Sequence, residues 1–292
     1  MSQDERKFYL TQVYKPREFI SGWGAACINI TVTYPAHKVM FRQQLLGIKF
    51  WRAFRQIKDE GLTHLYRGLM PPILLKTTST ALMFGTFDAY QTMLNIHYPQ
   101  CPDLVVKATA ASCAGWTEAL LTPFERVQTL LQDRVYHDMY KNTVHAFSEL
   151  RVHGVQEYFR GLSAILLRNA LSNVIFFSLR SELKQMLSQH STGSQNNWKD
   201  IGANFVSGAF LGASISTLVY PLNVVKVKMQ SRVGGDFPSM RESFHIVFNE
   251  RKRSWRRMFL GAHVNFSRSL VSWGIINAAY EVINAQFDVD ED

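Results

Sequence analysis

One short pattern occurs three times in this sequence, and few folds accommodate it. The copies are YPAHKVMFRQQLLG from Tyr34, TPFERVQTLLQD from Thr122 and YPLNVVKVKMQS from Tyr220. Each carries a proline, Pro35, Pro123 and Pro221, at intervals of 88 and 98 residues. Nine residues after each proline stands a glutamine: Gln44, Gln132 and Gln230. LYRG, YFRG and MFLG follow, ending at Gly68, Gly161 and Gly261, which lie 33, 38 and 40 residues past their prolines. Thirteen and nine residues before each proline are small residues, Gly22 and Ala26, Ala110 and Ala114, Gly208 and Gly212. Small residues four apart make a flat stripe on which membrane helices can approach closely. A repeat in fixed register over this distance means three copies of one structural unit.

Each proline lies inside a long apolar segment, roughly 19–46, 104–131 and 201–229, and a second apolar segment follows each glycine, roughly 72–93, 164–183 and 263–283. About 20 apolar residues span a bilayer, so the count is six helices, two per repeat. An interior proline removes a backbone hydrogen bond, so Pro35, Pro123 and Pro221 are expected to kink their helices. Repeat length argues against a soluble helical solenoid, since its units run to about 33–47 residues. The expected units are a tail at 1–18 and repeats at 19–97, 104–187 and 201–286. Mean hydropathy is only −0.09, low for a lipid-facing bundle but reasonable for one whose helices turn polar faces to a wet central cavity.

Charge supports that picture. The formal net charge is +9, and the stretches 42–67, 126–160 and 226–257 hold 20 of the 32 Lys and Arg residues. All three fall on one side if the helices alternate in direction, whereas the connection 92–103 on the other side has no Lys or Arg. Excess Lys and Arg marks the inner side of a membrane. A nucleic-acid binder would account for the charge but not for the six apolar segments or this asymmetry. Three cysteines without a CxxC or a His/Cys cluster argue against a disulfide framework or a metal site. The first residues show neither a signal peptide nor a typical cleavable presequence.

Three bases stand at matching places in the second helices: Lys76, Arg168 and Arg268, respectively 8, 7 and 7 residues past their glycines. Pseudo-threefold symmetry brings them to similar depth around one axis. Ionisable groups within a membrane usually face a cavity and mark a solute path, and three cations there favour phosphate or carboxylate. Glu118, five residues before Pro123, breaks the symmetry, because Ile30 and Ser216 hold the equivalent places. It either neutralises Arg168 or Lys76 or meets a cationic part of the solute. Trp116 beside it is a candidate for base stacking or for bundle packing and lipid contact. Lys38 and Arg126 read as charges at the helix ends rather than ligands.

Taken together, these copies resemble the mitochondrial carrier family (solute carrier family 25), whose signature is Pro-x-acid-x-x-base at the inner end of each odd-numbered helix. Within the family, FRQQLLGIK, KTTSTALMFG, TPFERVQTLLQD, RNALSNVIFF and SWGIINAAYE resemble the NAD-carrier branch. The resemblance implies an all-α membrane protein: six transmembrane helices in three pseudo-threefold repeats, each with a short matrix-side helix. It implies a monomer in the mitochondrial inner membrane that works by alternating access, with no enzymatic activity and no cofactor. The expected gate positions are His37 and Met40, Glu125 and Gln128, and Asn223 and Lys226. Family geometry leaves Glu125–Lys226 as a complete ion pair, allows His37 a hydrogen bond to Gln128, and gives Asn223 and Met40 no ionic contact. On the cytoplasmic side, Phe87-Asp88 and Tyr280-Glu281 resemble a second gate, whereas Leu179-Arg180 does not. The resemblance further implies a solute site of Lys76, Glu118, Arg168 and Arg268 that takes NAD, and cardiolipin at Arg67-Gly68 and Arg160-Gly161, with Leu260 in the third place. Other nucleotides, coenzyme A-like molecules, organic anions or a non-transporting scaffold role stay open at this stage. Six spans predict that the chain stays with the inner-membrane pellet after alkaline carbonate extraction; recovery in the soluble fraction would rule out this architecture.

Overall fold

The computed structural model describes residues 16–190 and 197–289, and every regular element among them is helical. In chain order these are α1 (Pro16–Leu46), α2 (Phe50–Glu60), α3 (Leu62–Leu65), α4 (Met70–His97), α5 (Asp103–Glu118), α6 (Thr122–Gln132), α7 (Thr143–Val152), α8 (Leu162–His190), α9 (Asn197–Leu218), α10 (Tyr220–Gln230), α11 (Met240–Glu250), α12 (Trp255–Met258) and α13 (Ala262–Val289). Short 3-10 turns cover Ala119–Leu121, Arg134–Tyr136 and Val155–Phe159. Paired end to end, α5 with α6 and α9 with α10 make two broken rods. With α1, α4, α8 and α13 there are six long rods, two per repeat. One short helix, α2, α7 or α11, lies between the rods of each repeat.

Among the described residues, one helical stretch, Val155–Leu179, is long and apolar enough to cross a membrane by itself, and Gly208–Leu218 with Tyr220–Gln230 passes the same standard as one bent span. The other rods carry polar and charged side chains on the inward face, which lowers their mean hydropathy.

The three prolines do not act alike. Pro123 and Pro221 stand in the first turns of α6 and α10, after a break in the rod; at α10 the rod bends by 58°. A helix's first turn tolerates proline, because its N–H has no intrahelical partner there. Pro35 instead lies within the continuous α1, whereas the other two prolines follow a break in their rods. Hydroxyls bond back along the turns preceding each proline: Thr33 to the Asn29 carbonyl at 2.8 Å, Thr117 to Cys113 at 3.0 Å and Thr217 to Ala213 at 2.8 Å.

The rods close into a ring. α1 packs on α13 and α4, α4 on α5, α5 on α8, α8 on α9, and α9 on α13. One apolar cluster joins Tyr220, Val224, Val225 and Met229 of α10 to Met40 of α1 and Ala164 of α8, so it draws on all three repeats. A second, around Phe87, Ala110, Ala114 and Phe177, knits α4, α5 and α8; the Phe87 and Phe177 rings lie 3.6 Å apart and nearly parallel.

The stripe of small residues has a different use from the one its spacing suggests. Ala110 and Ala114 are fully buried, but Gly22, Gly208 and Gly212 have open space where a side chain would start. Close approaches occur instead at Gly24, against the end of the Ile283 side chain, and at Gly115, against the Asn169–Ala170 backbone. Gly22, Ala26 and Gly212 line the central cavity. Their small size keeps volume open rather than drawing helices together.

The repeat glycines do need to be glycine. Gly161 and Gly261 have φ of 85° and 98°, and Gly68 has 82°. A Cβ at Gly161 would lie 3.1 Å from Gln230 of the third repeat, and one at Gly261 would collide with the Tyr220 hydroxyl and lie 3.2 Å from Gln43 of the first. Gly154 has φ of 93° with nothing within 4 Å of such an atom. Gly154→Ala is therefore expected to cost only backbone strain, about 1 kcal/mol, and Gly261→Ala the strain plus a clash, about 3 kcal/mol. Thermal unfolding of the purified variants checks the order; equal midpoints would show that the packing at Gly261 yields without cost.

Candidate functional site

The ring encloses a cavity of about 840 Å³, within the range of small-molecule sites, about 300–1,000 Å³. It extends from Gly22 and Trp23 near the start of α1 to Tyr34 and His37 at the level of the prolines. Lys76, Glu118 and Arg268 line it, together with Glu125, Gln128 and His37. α4, α5 and α13 thus deliver three of the four expected solute residues to one space. Arg268 and Glu118 are the charged neighbours of Lys76. Ser79, one turn below Lys76 on α4, donates its hydroxyl to Glu118 Oε1.

Arg168 is engaged elsewhere. Its guanidinium donates to Glu125 Oε1 at 3.0 Å, to Asn169 Oδ1 at 2.6 Å and more weakly to Asn223 Oδ1 at 3.5 Å. Lys226 Nζ donates to the other Glu125 oxygen at 2.9 Å. One carboxylate therefore holds two cations from α8 and α10, and all three side chains are largely buried. The expected ion pair is geometrically present, but it is a triad, and its third member is an expected solute residue.

His37 does not meet Gln128. Its Nδ1 lies 3.2 Å from Nε2 of Gln132, which also donates to the Tyr34 hydroxyl at 3.0 Å. Gln128 lines the cavity, and Met40 is buried in apolar packing. The reason is reach: Gln132 is one turn farther along α6 and points back across the repeat boundary. Gln230 accepts from Thr129 at 3.1 Å, and Gln44 is bonded to the Tyr220 hydroxyl. All three glutamines nine residues past the prolines thus bridge to a neighbouring repeat. Their recurrence was visible in the sequence; their partners were not, because a fixed offset gives no direction.

Several other positions settle plainly. Trp116 is 53% exposed and is not part of the cavity wall. Lys38 is fully buried and donates to the His64 carbonyl; Arg126 is fully buried against Glu157. Arg67 donates to the carbonyls of Tyr136, His137 and Tyr140, and Arg160 to Glu157 and to the Gly234 and Gly235 carbonyls. A separate cleft of about 370 Å³ lies beside Arg67, Gly68 and Lys141. Asp88 is exposed. The side chains of Tyr280, Glu281 and Arg180 lie outside the described residues.

The family model described as mitochondrial carrier protein matches residues 12–98, 102–191 and 197–289. The chain belongs to the mitochondrial carrier protein family. It is 46% identical over 267 residues to the mitochondrial nicotinamide adenine dinucleotide transporter SLC25A51 of Mus musculus, covering 91% of this chain and 88% of that one. It is 32% identical over 260 residues to solute carrier family 25 member 53 of Homo sapiens, covering 86% and 82%. The tricarboxylate transport protein of Saccharomyces cerevisiae is 26% identical over 284 residues, covering 91% and 93%. The carrier fold thus extends over all three repeats.

Sharing of one carboxylate makes the triad unequal. Lys226→Gln leaves Glu125 paired with Arg168, whereas Glu125→Gln leaves two buried cations facing each other. Removing one side of a buried pair costs about 3–5 kcal/mol. Glu125→Gln is expected to lower thermal stability by that order and Lys226→Gln by distinctly less. The pair of variants and their double mutant, melted in the same detergent, decide it; equal losses would mean that Arg168 does not share the charge.

Proposed function

We propose that this chain carries nicotinamide adenine dinucleotide across the mitochondrial inner membrane by alternating access. The six rods are its spans, and the basic stretches 42–67, 126–160 and 226–257 face the matrix. The observation that carries the reading is the convergence of Lys76, Glu118 and Arg268 on one cavity, in a chain 46% identical to a transporter named for this dinucleotide. The oxidised dinucleotide has a diphosphate bridge and a cationic ring. Lys76 and Arg268 suit the diphosphate, since ionised donors make the strongest hydrogen bonds to phosphate. Glu118, oriented by Ser79, suits the ring.

Arg168 joins them when the triad opens. With the cavity loaded, its guanidinium exchanges Glu125 for phosphate, which weakens the contact holding α6, α8 and α10 together. Solute binding and release of this matrix gate are then one event, because the same cation serves both. His37, Gln128 and Asn223 complete the matrix gate as neutral groups, with a lower barrier than three ion pairs. Asp88 and Glu281 belong to the opposite gate. An anionic lipid, cardiolipin, occupies the cleft at Arg67, Gly68 and Lys141, where the two cations supply the complementary charge.

The test is uptake by the purified chain in liposomes. Arg268→Ala is expected to lower it about 10- to 150-fold, since a charge-assisted hydrogen bond is worth about 1.5–3 kcal/mol. Glu118→Gln keeps the shape and removes the charge, so uptake of the oxidised form should fall more than that of the reduced form, whose ring is neutral. Equal loss for both forms would reduce Glu118 to a counter-charge. No uptake of either form by the unmutated protein would discard this solute.

A further inference from the structure

The threefold symmetry pairs each cavity serine with a position on the neighbouring odd helix. Ser79 stands eleven residues past Gly68, and its hydroxyl is spent on Glu118, five residues before Pro123. Ser272 stands eleven residues past Gly261, on α13, which packs on α1 as α4 packs on α5. The position facing it by symmetry, five residues before Pro35, is Ile30. Ser272 therefore lacks the acid that Ser79 has, and its Oγ is buried without a hydrogen-bond partner among the described residues.

Beside Ile30 is Asn29, six residues before Pro35; its counterparts are Thr117 and Ile215. Thr117 is satisfied by Tyr90 and by the Cys113 carbonyl, at 3.1 and 3.0 Å. Asn29 is only 5% exposed, and its Oδ1 has no partner among the described residues. Burying a polar side-chain group without a partner costs about 1–3 kcal/mol, so two such groups on one cavity wall call for an explanation. Asn29 and Ser272 both line the cavity, with Trp23 and Trp273 on the same two helices. Ser272 lies one turn beyond Arg268, about 6 Å along α13, and Arg268 Nε is itself without a partner.

We infer that the α1–α13 wall is the subsite for the neutral nucleoside end of the solute, the adenosine half of the dinucleotide. The inference rests on the dinucleotide reading above. Lys76 and Arg268 hold the diphosphate, Glu118 takes the cationic ring on the α4–α5 side, and the other nucleoside extends along α1 and α13. Adenine is uncharged at neutral pH, flat, and carries an exocyclic amine that donates to the Asn29 oxygen. A ribose hydroxyl satisfies Ser272, and the indoles offer apolar faces to the base. No charged group is required on this wall, and position 30 has none.

Competition separates the two halves. Labelled oxidised dinucleotide is taken up by liposomes holding the purified chain, against adenosine diphosphate ribose or nicotinamide mononucleotide as competitor. Asn29→Leu, which keeps the branching at Cγ and removes both polar atoms, should raise the half-inhibiting concentration of adenosine diphosphate ribose about fivefold and leave that of the mononucleotide within about twofold. Ser272→Ala should act in the same direction. Equal shifts for both competitors, or none, would overturn the subsite. If the unmutated protein takes up no dinucleotide, the transport reading falls, and thermal stabilisation of the purified chain decides the subsite. Stabilisation by adenosine diphosphate ribose that Asn29→Leu abolishes would sustain it; none in the unmutated protein would overturn it.

Discussion

Glu125 is the carboxylate on which the inner architecture depends. It holds Arg168 at 3.0 Å and Lys226 at 2.9 Å, so three helices from two repeats meet at one charge. Within a bundle, such charges persist only when compensated. The compensation is uneven around the axis: repeats two and three share the ionic contact, while repeats one and two meet through His37, Gln132 and Tyr34, all neutral contacts at about 3 Å. The floor of the cavity is thus one strong joint and a set of weaker ones, and the strong joint contains a cation that a phosphate can also use.

Outside the cavity, the repeats are tied by guanidinium groups on backbone carbonyls. Arg67 reaches the loop after α6, Arg126 reaches Gln230 and Arg232, and Arg251 reaches Gln43 and Gln44. Most of these acceptors lie at or just past the C-terminal ends of helices, where carbonyls lack intrahelical donors and the helix dipole favours cations. The joint between the first and second repeats also stacks His64 on His137 at 4.8 Å. Burial and the nearby Arg67 push His137 down to about 3, so its ring stays neutral over the physiological range. Arg160, of the second Arg-Gly pair, is 2% exposed and committed to Glu157 and the Gly234–Gly235 turn.

Much of the chemistry lies where the repeats differ. Symmetry alone would give a cavity with three equivalent walls, suited to a compact symmetric anion. Glu118 gives one wall an acid, while Ile30 removes it from another and leaves Ser272 without a partner. An elongated solute with chemically distinct ends matches such a cavity better than a small one.

The repeat, the two rods per unit and the four charged positions were legible in the sequence because each recurs at, or departs from, a fixed offset. Periodicity shows which residues share a depth, since rise per residue is constant along a helix. It does not show azimuth across a helix boundary or which neighbour a long side chain selects. For that reason, His37 found Gln132 instead of Gln128, Arg168 turned to Glu125, and Pro35 left its helix unbroken while Pro123 and Pro221 began new ones. The sequence by itself determined the number of units and the residues that break symmetry. Only the tertiary structure decided the partners, because a hydrogen bond or ion pair depends on angstrom-scale distances between helices far apart in the chain.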